Sequence, residues 1–282
     1  MKEHSARFEP KWYFPGTLRE ASALLEKTGV VPHGGGTMIL RGNSSRIKGL
    51  IDLSALPLRF FRERKRELEI GSIRTYTEVV ESLQKAHPDH ILVKALCSAA
   101  STPLRNRITL GGSIAFFPLW SDLMGPLIAL EALVTLSGSN PGAYPVTELV
   151  KSRKLIRGNL ITGVRLKNDP WQSAYHRETR THFDYPAFTL TVLAKITARK
   201  VRDARIVFVG NTEKYKRLTS LEEYLTDSAP AEARKMIDQG DLAPYLDLAF
   251  SGKKLGSPEY IRHLAATRLK RLLSAVLTGE DG

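Results

Sequence analysis

The chain has 282 residues, of which 42% are hydrophobic and 25% are charged, as is ordinary for a folded globular protein. It has no run of 18 apolar residues and no apolar stretch of signal-peptide type in its first 14 residues, so we expect a cytoplasmic protein that does not bind membranes. Its one cysteine, Cys97, cannot form an internal disulfide or hold an iron–sulfur cluster. Because Cys97 follows apolar residues, we expect a buried thiol, and the histidine spacing predicts no metal site.

The formal net charge is +13, and most of it lies in the second half of the chain. Residues 1–150 carry 18 Lys and Arg against 14 Asp and Glu, whereas residues 151–282 carry 24 against 15. Such a field attracts nucleic acid, an anionic cofactor or an acidic partner protein. The basic residues are interspersed with acids and lack interleaved aromatics, so we expect no nucleic-acid binding.

Helices and short strands alternate in the first half of the sequence. A helix is predicted to begin at the capping box formed by Thr17 and Glu20 and to end at Gly29. Further strands are predicted at 30–31, 49–53 and 68–73, and further helices at 75–83, 91–100 and 121–132. This alternation indicates the α+β class.

The pattern changes near residue 155. Strand-like runs at 160–166, 173–178, 188–198 and 204–210 predict one small antiparallel sheet. Near the end, Ser257 and Pro258 predict the start of a helix with one apolar face.

Two glycine-rich segments stand out. The first glycine loop is PHGGGTMI (32–39), and the second is TLGGS (109–113). Because glycine has no Cβ, consecutive amides can approach an anion, and the hydroxyls of Thr37, Thr109 and Ser113 add donors. Two such loops could hold one diphosphate from both sides. The alternative is that the glycines only form tight turns, and neither loop has the spacing of a P-loop or a dinucleotide fingerprint.

The two loops resemble the A-G-G-T-D-L and T-I-G-G-N segments of the FAD-binding subunits of the xanthine dehydrogenase and carbon monoxide dehydrogenase family. The resemblance extends in the same order over nearly the whole chain, through FPGTLREASALLEKTG (14–29), GLIDLSALPL (49–58), LEIGSIRTYTEV (68–79), the stretch 96–136, AYHRETRTHFDYPAFTLTVLA (174–194) and SPEYIRHLAATRLKRLL (257–273). The sequence departs from the family at Met38, where an acid is usual, and at Ser113, where Asn is usual.

The resemblance implies an α+β fold with two FAD-binding subdomains, at about 1–55 and 56–168, and a C-terminal sheet-and-helix domain over 169–282. It also implies non-covalently bound FAD and no metal in this chain. Electrons would arrive from a [2Fe-2S] subunit and leave to NAD or another acceptor. The substrate would be oxidised at a molybdenum–pterin centre on a molybdopterin-binding subunit.

The resemblance also implies which residues bind the cofactor. The first loop would line the diphosphate and one side of the flavin, and the second would hold the diphosphate and the ribityl chain. Beyond the loops, one acidic, one apolar and one basic residue would approach the cofactor, with His176 an alternative for the last. The implied set is Pro32, His33, Gly34, Gly35, Gly36, Thr37, Met38, Ile39, Thr109, Gly111, Gly112, Ser113, Asp122, Ile161 and Arg177.

Two other interpretations remain at this point. One is a basic scaffold or nucleic-acid-binding protein that has the same fold without the flavin. The other is a stand-alone flavin oxidoreductase. Yellow colour in the purified protein contradicts the first, and co-purification of iron and molybdenum subunits contradicts the second.

Overall fold

The computed structural model describes residues 10–41, 46–182, 184–249 and 256–278. The strands are β1 (Lys11–Tyr13), β2 (Val30–His33), β3 (Gly49–Asp52), β4 (Phe61–Arg64), β5 (Glu67–Gly71), β6 (Leu133–Gly138), β7 (Gly142–Pro145), β8 (Asn159–Lys167), β9 (Gln172–Glu178), β10 (Phe188–Thr197), β11 (Lys200–Val209) and β12 (Tyr215–Arg217). The helices are α1 (Leu18–Leu24), α2 (Thr37–Arg41), α3 (Tyr76–Gln84), α4 (Ile91–Leu96), α5 (Thr102–Arg105), α6 (Leu110–Phe116), α7 (Met124–Ala129), α8 (Val146–Lys151), α9 (Thr219–Leu225), α10 (Pro230–Gln239) and α11 (Pro258–Thr278).

These elements pack into two compact units that alternate along the chain. Unit 1 contains the chain up to Tyr76 together with Pro103–Phe116 and Leu133–Leu166. Unit 2 contains Thr77–Thr102, Phe117–Ala132 and the chain from Lys167 onward. The units are therefore not consecutive in sequence, and the domain boundary near residue 168 stays a prediction.

The first helix of unit 1 forms as its capping box predicts. The Thr17 hydroxyl accepts the amide of Glu20 at 3.2 Å, and the Glu20 carboxylate accepts the amide of Gly16 at 2.8 Å. Gly29 follows with a φ of +79°, a conformation that glycine adopts without strain. Buried Ala21 of this helix belongs to the same apolar cluster as Ile51, so the helix and its start are confirmed. Its predicted end at Gly29 is wrong, because the helix ends at Leu24.

The described residues of unit 1 form two sheets. In the first, β1 and β2 lie parallel to the central strand β3, and the second has the order β4-β5-β8-β6-β7. The prediction that residues 160–166 join the sheet of residues 173–210 is wrong, because β8 pairs with β6, with Val164 opposite Val134. An alternating pattern shows that a strand is half buried, but it does not identify the partner strand.

Unit 2 contains the predicted antiparallel sheet, in the order β12-β11-β10-β9. One face of the sheet, including Phe188 and Phe208, packs on the C-terminal helix α11 through Leu269 and its apolar neighbours. The start of α11 is confirmed, since the Ser257 hydroxyl accepts the amide of Tyr260 at 3.2 Å. Helices α9 and α10 were not predicted. They lie between the strand predicted at 204–210 and the helix predicted to begin at Ser257.

The same sheet is covered by α4 and α7, which come from much earlier in the chain. A Cβ on Gly125 of α7 would lie 2.7 Å from the Thr191 hydroxyl oxygen of β10, so the glycine permits a close approach of helix to sheet. Cys97 caps the end of α4 and is exposed, which contradicts the predicted buried thiol. It follows Leu96, the last buried residue of that helix. No helix among the described residues is long and apolar enough to cross a membrane.

Candidate functional site

The first glycine loop connects β2 to α2. Gly36 has a φ of +75°, and a Cβ there would lie 2.6 Å from the His33 ring nitrogen Nε2. Its carbonyl accepts the amide of Leu40 at 3.0 Å and so begins the helix. The turn from strand to helix therefore requires glycine at this position.

The amides of the first loop remain available as donors. In the described part of the chain, the backbone hydrogen bonds of the turns and caps leave the amides of Gly35, Gly36 and Thr37 without an acceptor. The carbonyls of Gly35 and Gly36, in contrast, both accept hydrogen bonds. Consecutive free amides suit an anion.

The second glycine loop forms the first turn of α6, where the sequence suggested only a turn. The amides of its last four residues donate within the protein: Leu110 to the Arg74 carbonyl at 2.9 Å, Gly111 to the Ser72 carbonyl at 2.7 Å, Gly112 to the Thr109 hydroxyl at 3.2 Å and Ser113 to the Thr109 carbonyl at 3.0 Å. The prediction that both loops offer backbone amides is therefore wrong for the glycines of this loop. Its remaining donors are the amide of Thr109 and the hydroxyls of Thr109 and Ser113.

The two loops lie directly against each other. The Arg107 guanidinium donates to the Gly35 carbonyl, from Nε at 3.2 Å and from Nη2 at 3.1 Å. A Cβ on Gly35 would lie 1.6 Å from the Arg107 carbonyl oxygen, and one on Gly34 would lie 3.0 Å from the Thr109 hydroxyl. Gly34 and Gly35, which the sequence assigned to an anion site, therefore also allow the two loops to approach each other closely. Both Gly34 and Gly112 are exposed.

A third segment, Ser72–Tyr76, supports the second loop and was not assigned a role from the sequence. The amide of Tyr76 donates to the Ile108 carbonyl at 3.0 Å, and its phenol donates to the Ser113 hydroxyl at 2.8 Å. The only sequence signal was the stretch LEIGSIRTYTEV, which resembles the family without indicating these contacts. The first loop, the second loop and this segment converge within unit 1.

Two further residues hold this region in place. The Arg153 guanidinium binds the carbonyls of Ala115 and Phe116 at the end of α6, and burial lowers the pKa of Arg153. Ile161 of β8 is buried, next in sequence to Thr162, whose carbonyl accepts the amide of Ser72 at 3.1 Å. The strand that carries Ile161 thus pairs with the segment that supports the second loop.

Asp122 and Arg177 lie in unit 2 and bind each other. Arg177 Nε lies 2.9 Å from Asp122 Oδ1, to which the Tyr175 hydroxyl also donates at 2.8 Å. Burial raises the pKa of Asp122, although the charge of Arg177 and both hydrogen bonds act to lower it. Burial, followed by the nearby charge of Asp122, raises the pKa of Tyr175 well above its usual value. The cofactor contacts predicted for Asp122 and Arg177 stay predictions.

His176 points to the other face of β9, so it and Arg177 are not interchangeable. Its Nε2 lies 2.8 Å from the Glu178 carboxylate, which also accepts Arg268 Nε of α11 at 2.8 Å. Burial lowers the pKa of His176, against the opposing effect of Glu178. His176 therefore belongs to the contact between β9 and α11.

Comparison with known proteins shows the family. Residues 6–167 match the model of the FAD binding domain in molybdopterin dehydrogenase, and residues 173–276 match that of the CO dehydrogenase flavoprotein C-terminal domain. The chain belongs to this flavoprotein family. It is the FAD-binding oxidoreductase subunit of a molybdenum hydroxylase, and its predicted α+β fold is confirmed.

Individual relatives have low sequence identity to this chain, over alignments of 138 and 252 residues. The chain is 26% identical over 252 residues to the 6-hydroxypseudooxynicotine dehydrogenase complex subunit alpha of Paenarthrobacter nicotinovorans, covering 85% of this chain and 83% of that one. It is 28% identical over 138 residues to the nicotinate dehydrogenase FAD-subunit of Eubacterium barkeri, covering 45% of each.

Solved structures share the fold at lower identity. A chain of the carbon monoxide dehydrogenase from Hydrogenophaga pseudoflava superposes with a TM-score of 0.85 at 23% identity, covering 96% of this chain and 98% of that one. A chain of quinoline 2-oxidoreductase from Pseudomonas putida 86 gives 0.83 at 20% identity, with the same coverage.

The residues of this flavoprotein fit a diphosphate. The first loop has uncommitted amides, and the second has two hydroxyls beside the exposed Cα of Gly112. A side chain on Gly112 would meet only the Thr109 hydroxyl, at 2.8 Å, so the space above this glycine is open. The donors are neutral, but their hydrogen bonds to an ionised diphosphate oxygen would be charge-assisted.

Proposed function

We propose that this chain binds FAD non-covalently through the two glycine loops and passes electrons from a [2Fe-2S] subunit to NAD or another acceptor. A separate molybdopterin-binding subunit oxidises the substrate. The observation that carries the proposal is the convergence of the two loops, one with free amides and one with hydroxyl donors, in a chain of the flavoprotein family.

In this proposal the first loop donates its amides to the diphosphate, and Thr37 adds a hydroxyl at the start of α2. Thr109 and Ser113 donate from the second loop, while Arg107 keeps the two loops together. Ile161 supplies apolar surface near the ring system. When bound, FAD accepts electrons one at a time and releases them as a pair.

Two observations support placing the other cofactors on partner subunits: the shortage of metal ligands in this chain and the names of its relatives. One cysteine cannot supply the four ligands of a [2Fe-2S] cluster, and the described residues contain no metal-binding group of His, Cys, Asp and Glu. One relative is named a subunit of a dehydrogenase complex and another an FAD-subunit. Both names support partner subunits that carry the other cofactors.

The identity of the flavin tests the first part of the proposal. Flavin released by heat from the purified full-length chain should elute with FAD on a chromatograph. An FMN peak, or a colourless protein that takes up no FAD, would contradict the proposal. A colourless protein would instead support the flavin-free scaffold.

The electron path needs a separate experiment. Co-expression with the proteins encoded beside this chain should yield a complex that contains iron and molybdenum. In that complex, anaerobic NADH should bleach the flavin absorbance if NAD is the acceptor, since hydride transfer is reversible. A flavin that only oxygen or a quinone reoxidises would assign the acceptor differently. Isolation of this chain alone, fully active, would favour a stand-alone oxidoreductase.

The positive charge is assigned here to the FAD phosphates and to steering of acidic partner subunits. A random DNA duplex should then bind no more tightly than about 10⁻⁶ M at physiological salt. A nanomolar, sequence-selective complex would contradict this assignment.

A further inference from the structure

The hydroxyl of Ser113 has a partner that the family resemblance did not indicate. Tyr76 donates to it at 2.8 Å, and both residues are buried, with 5% and 8% of their surface exposed. The two residues begin different helices, since Tyr76 is the first residue of α3 and Ser113 lies in the first turn of α6. The contact therefore joins two separate segments beside the second glycine loop.

The backbone fixes the position of both residues. The amide of Tyr76 donates to the Ile108 carbonyl at 3.0 Å, and the amide of Ser113 donates to the Thr109 carbonyl at 3.0 Å. Thr75 and Thr109 also form an antiparallel bridge. With both backbones held, the Tyr76 phenol is placed to donate to the Ser113 hydroxyl.

This arrangement determines what the Ser113 hydroxyl can do. A hydroxyl has one proton to donate and two lone pairs that accept. Because the Tyr76 proton fills one lone pair, the Ser113 proton must point elsewhere. The neighbouring amides of the second loop are already bonded within the protein, so this proton is one of the few donors that the loop retains.

We propose that Tyr76 is a positioning residue for FAD: it orients the Ser113 hydroxyl so that the Ser113 proton is donated to the diphosphate. The inference rests on the proposed function. It also accounts for the serine at a position where the family usually has Asn. An amide group presents N–H donors in a fixed plane, whereas a lone serine hydroxyl rotates freely, and Tyr76 removes that freedom.

The test compares FAD dissociation constants of the full-length chain after its flavin has been removed. Tyr76→Phe and Ser113→Ala should each weaken FAD binding about three- to tenfold, as loss of one hydrogen bond does. The double variant should bind no more weakly than Ser113→Ala alone, because Tyr76 acts only through that hydroxyl. Riboflavin, which has no diphosphate, should bind all four proteins equally.

Two controls separate positioning from simple support of the fold. Tyr144→Phe removes a phenol on β7 whose contact is long, at 3.5 Å, and should leave FAD binding unchanged. In a Ser113→Asn background, Tyr76→Phe should cost less than twofold, because the amide no longer needs to be oriented.

Additive losses in the double variant would overturn the inference. So would a Tyr76→Phe protein with lowered thermal stability and unchanged FAD affinity, which would show a structural role only. Failure of the unaltered chain to bind FAD would instead contradict the proposed function itself, so the two failures are distinguishable.

Discussion

The two glycine loops look alike in sequence but present different kinds of hydrogen-bond donor. The first keeps the amides of Gly35 and Gly36 free, whereas the second directs the amides of both its glycines into the protein and donates mainly through hydroxyls. Gly111 illustrates the difference, since a Cβ there would lie 2.8 Å from the Ser72 Cβ. Glycine in the second loop thus allows close packing, and glycine in the first allows both packing and anion binding. A shared motif does not establish a shared role.

The largest effect is expected where the loops meet. In Gly35→Ala, the new Cβ would lie 1.6 Å from the backbone oxygen of Arg107, which a side-chain rotation cannot relieve. We expect the free energy of unfolding to fall by roughly 2–4 kcal/mol and bound flavin to be lost. Urea unfolding and flavin content measure the two effects.

Gly16→Ala is the matched control for that variant. The added Cβ would come no closer than 3.9 Å, to the Glu20 carboxylate, so stability should change by less than about 0.5 kcal/mol. A similar loss in both variants would show that glycine flexibility, not the contact between the loops, sets the stability.

Gly112→Val should separate binding from folding. This glycine is exposed, and its added side chain would first meet the Thr109 hydroxyl, which can rotate. We expect a circular dichroism spectrum like that of the unaltered protein and FAD binding weakened about tenfold, roughly 1.4 kcal/mol. Full flavin occupancy would show that the second loop does not touch the cofactor, and the comparison of the loops would lose its functional meaning.

Arg107→Lys tests how firmly the loops are held together. A lysine keeps the charge but loses the paired donation to the Gly35 carbonyl. Because Arg107 is exposed, we expect a loss of stability of about 0.5–1 kcal/mol and a few-fold weaker FAD binding. Arg66→Lys, on the exposed turn between β4 and β5, serves as the control and should change neither quantity.

A smaller effect on stability is expected from pH. It acts through the contact between β9 and α11, where His176, Glu178 and Arg268 bind one another. Burial lowers the pKa of His176 below its ordinary 6.5, while Glu178, Arg268 and Arg271 are the charged groups around it. The unfolded chain therefore takes up a proton first as pH falls, and stability present above pH 6.5 is lost below it. Urea unfolding should show a loss of up to about 1 kcal/mol between pH 7.5 and 5.5. His176→Gln should reduce this slope, and an unchanged slope would assign it to another group.

The parts of the fold that the sequence predicted are those set by local rules. The capping box at Thr17, the turn at Gly36 and the start of α11 at Ser257 depend on neighbours within a few residues, and family resemblance located the loops. The sheet to which β8 belongs and the pairing of Asp122 with Arg177, 55 positions apart, depend on distant partners. No local pattern specifies such partners, and the same holds for the contact between Tyr76 and Ser113.

The alternation of the two units along the chain bears on how the protein is synthesised. Helices α4 and α7 leave the ribosome before β9, β10 and β11, the strands that cover their apolar sides. Until those strands emerge, the two helices, in which Leu92 and Leu127 are fully buried in the finished fold, lack the sheet that they contact. A fragment cut between residues 167 and 173, where the two family models divide, would keep these helices without their sheet. Such a fragment should be prone to aggregate, and its expression would be rescued by supplying the rest of the chain in the same cell.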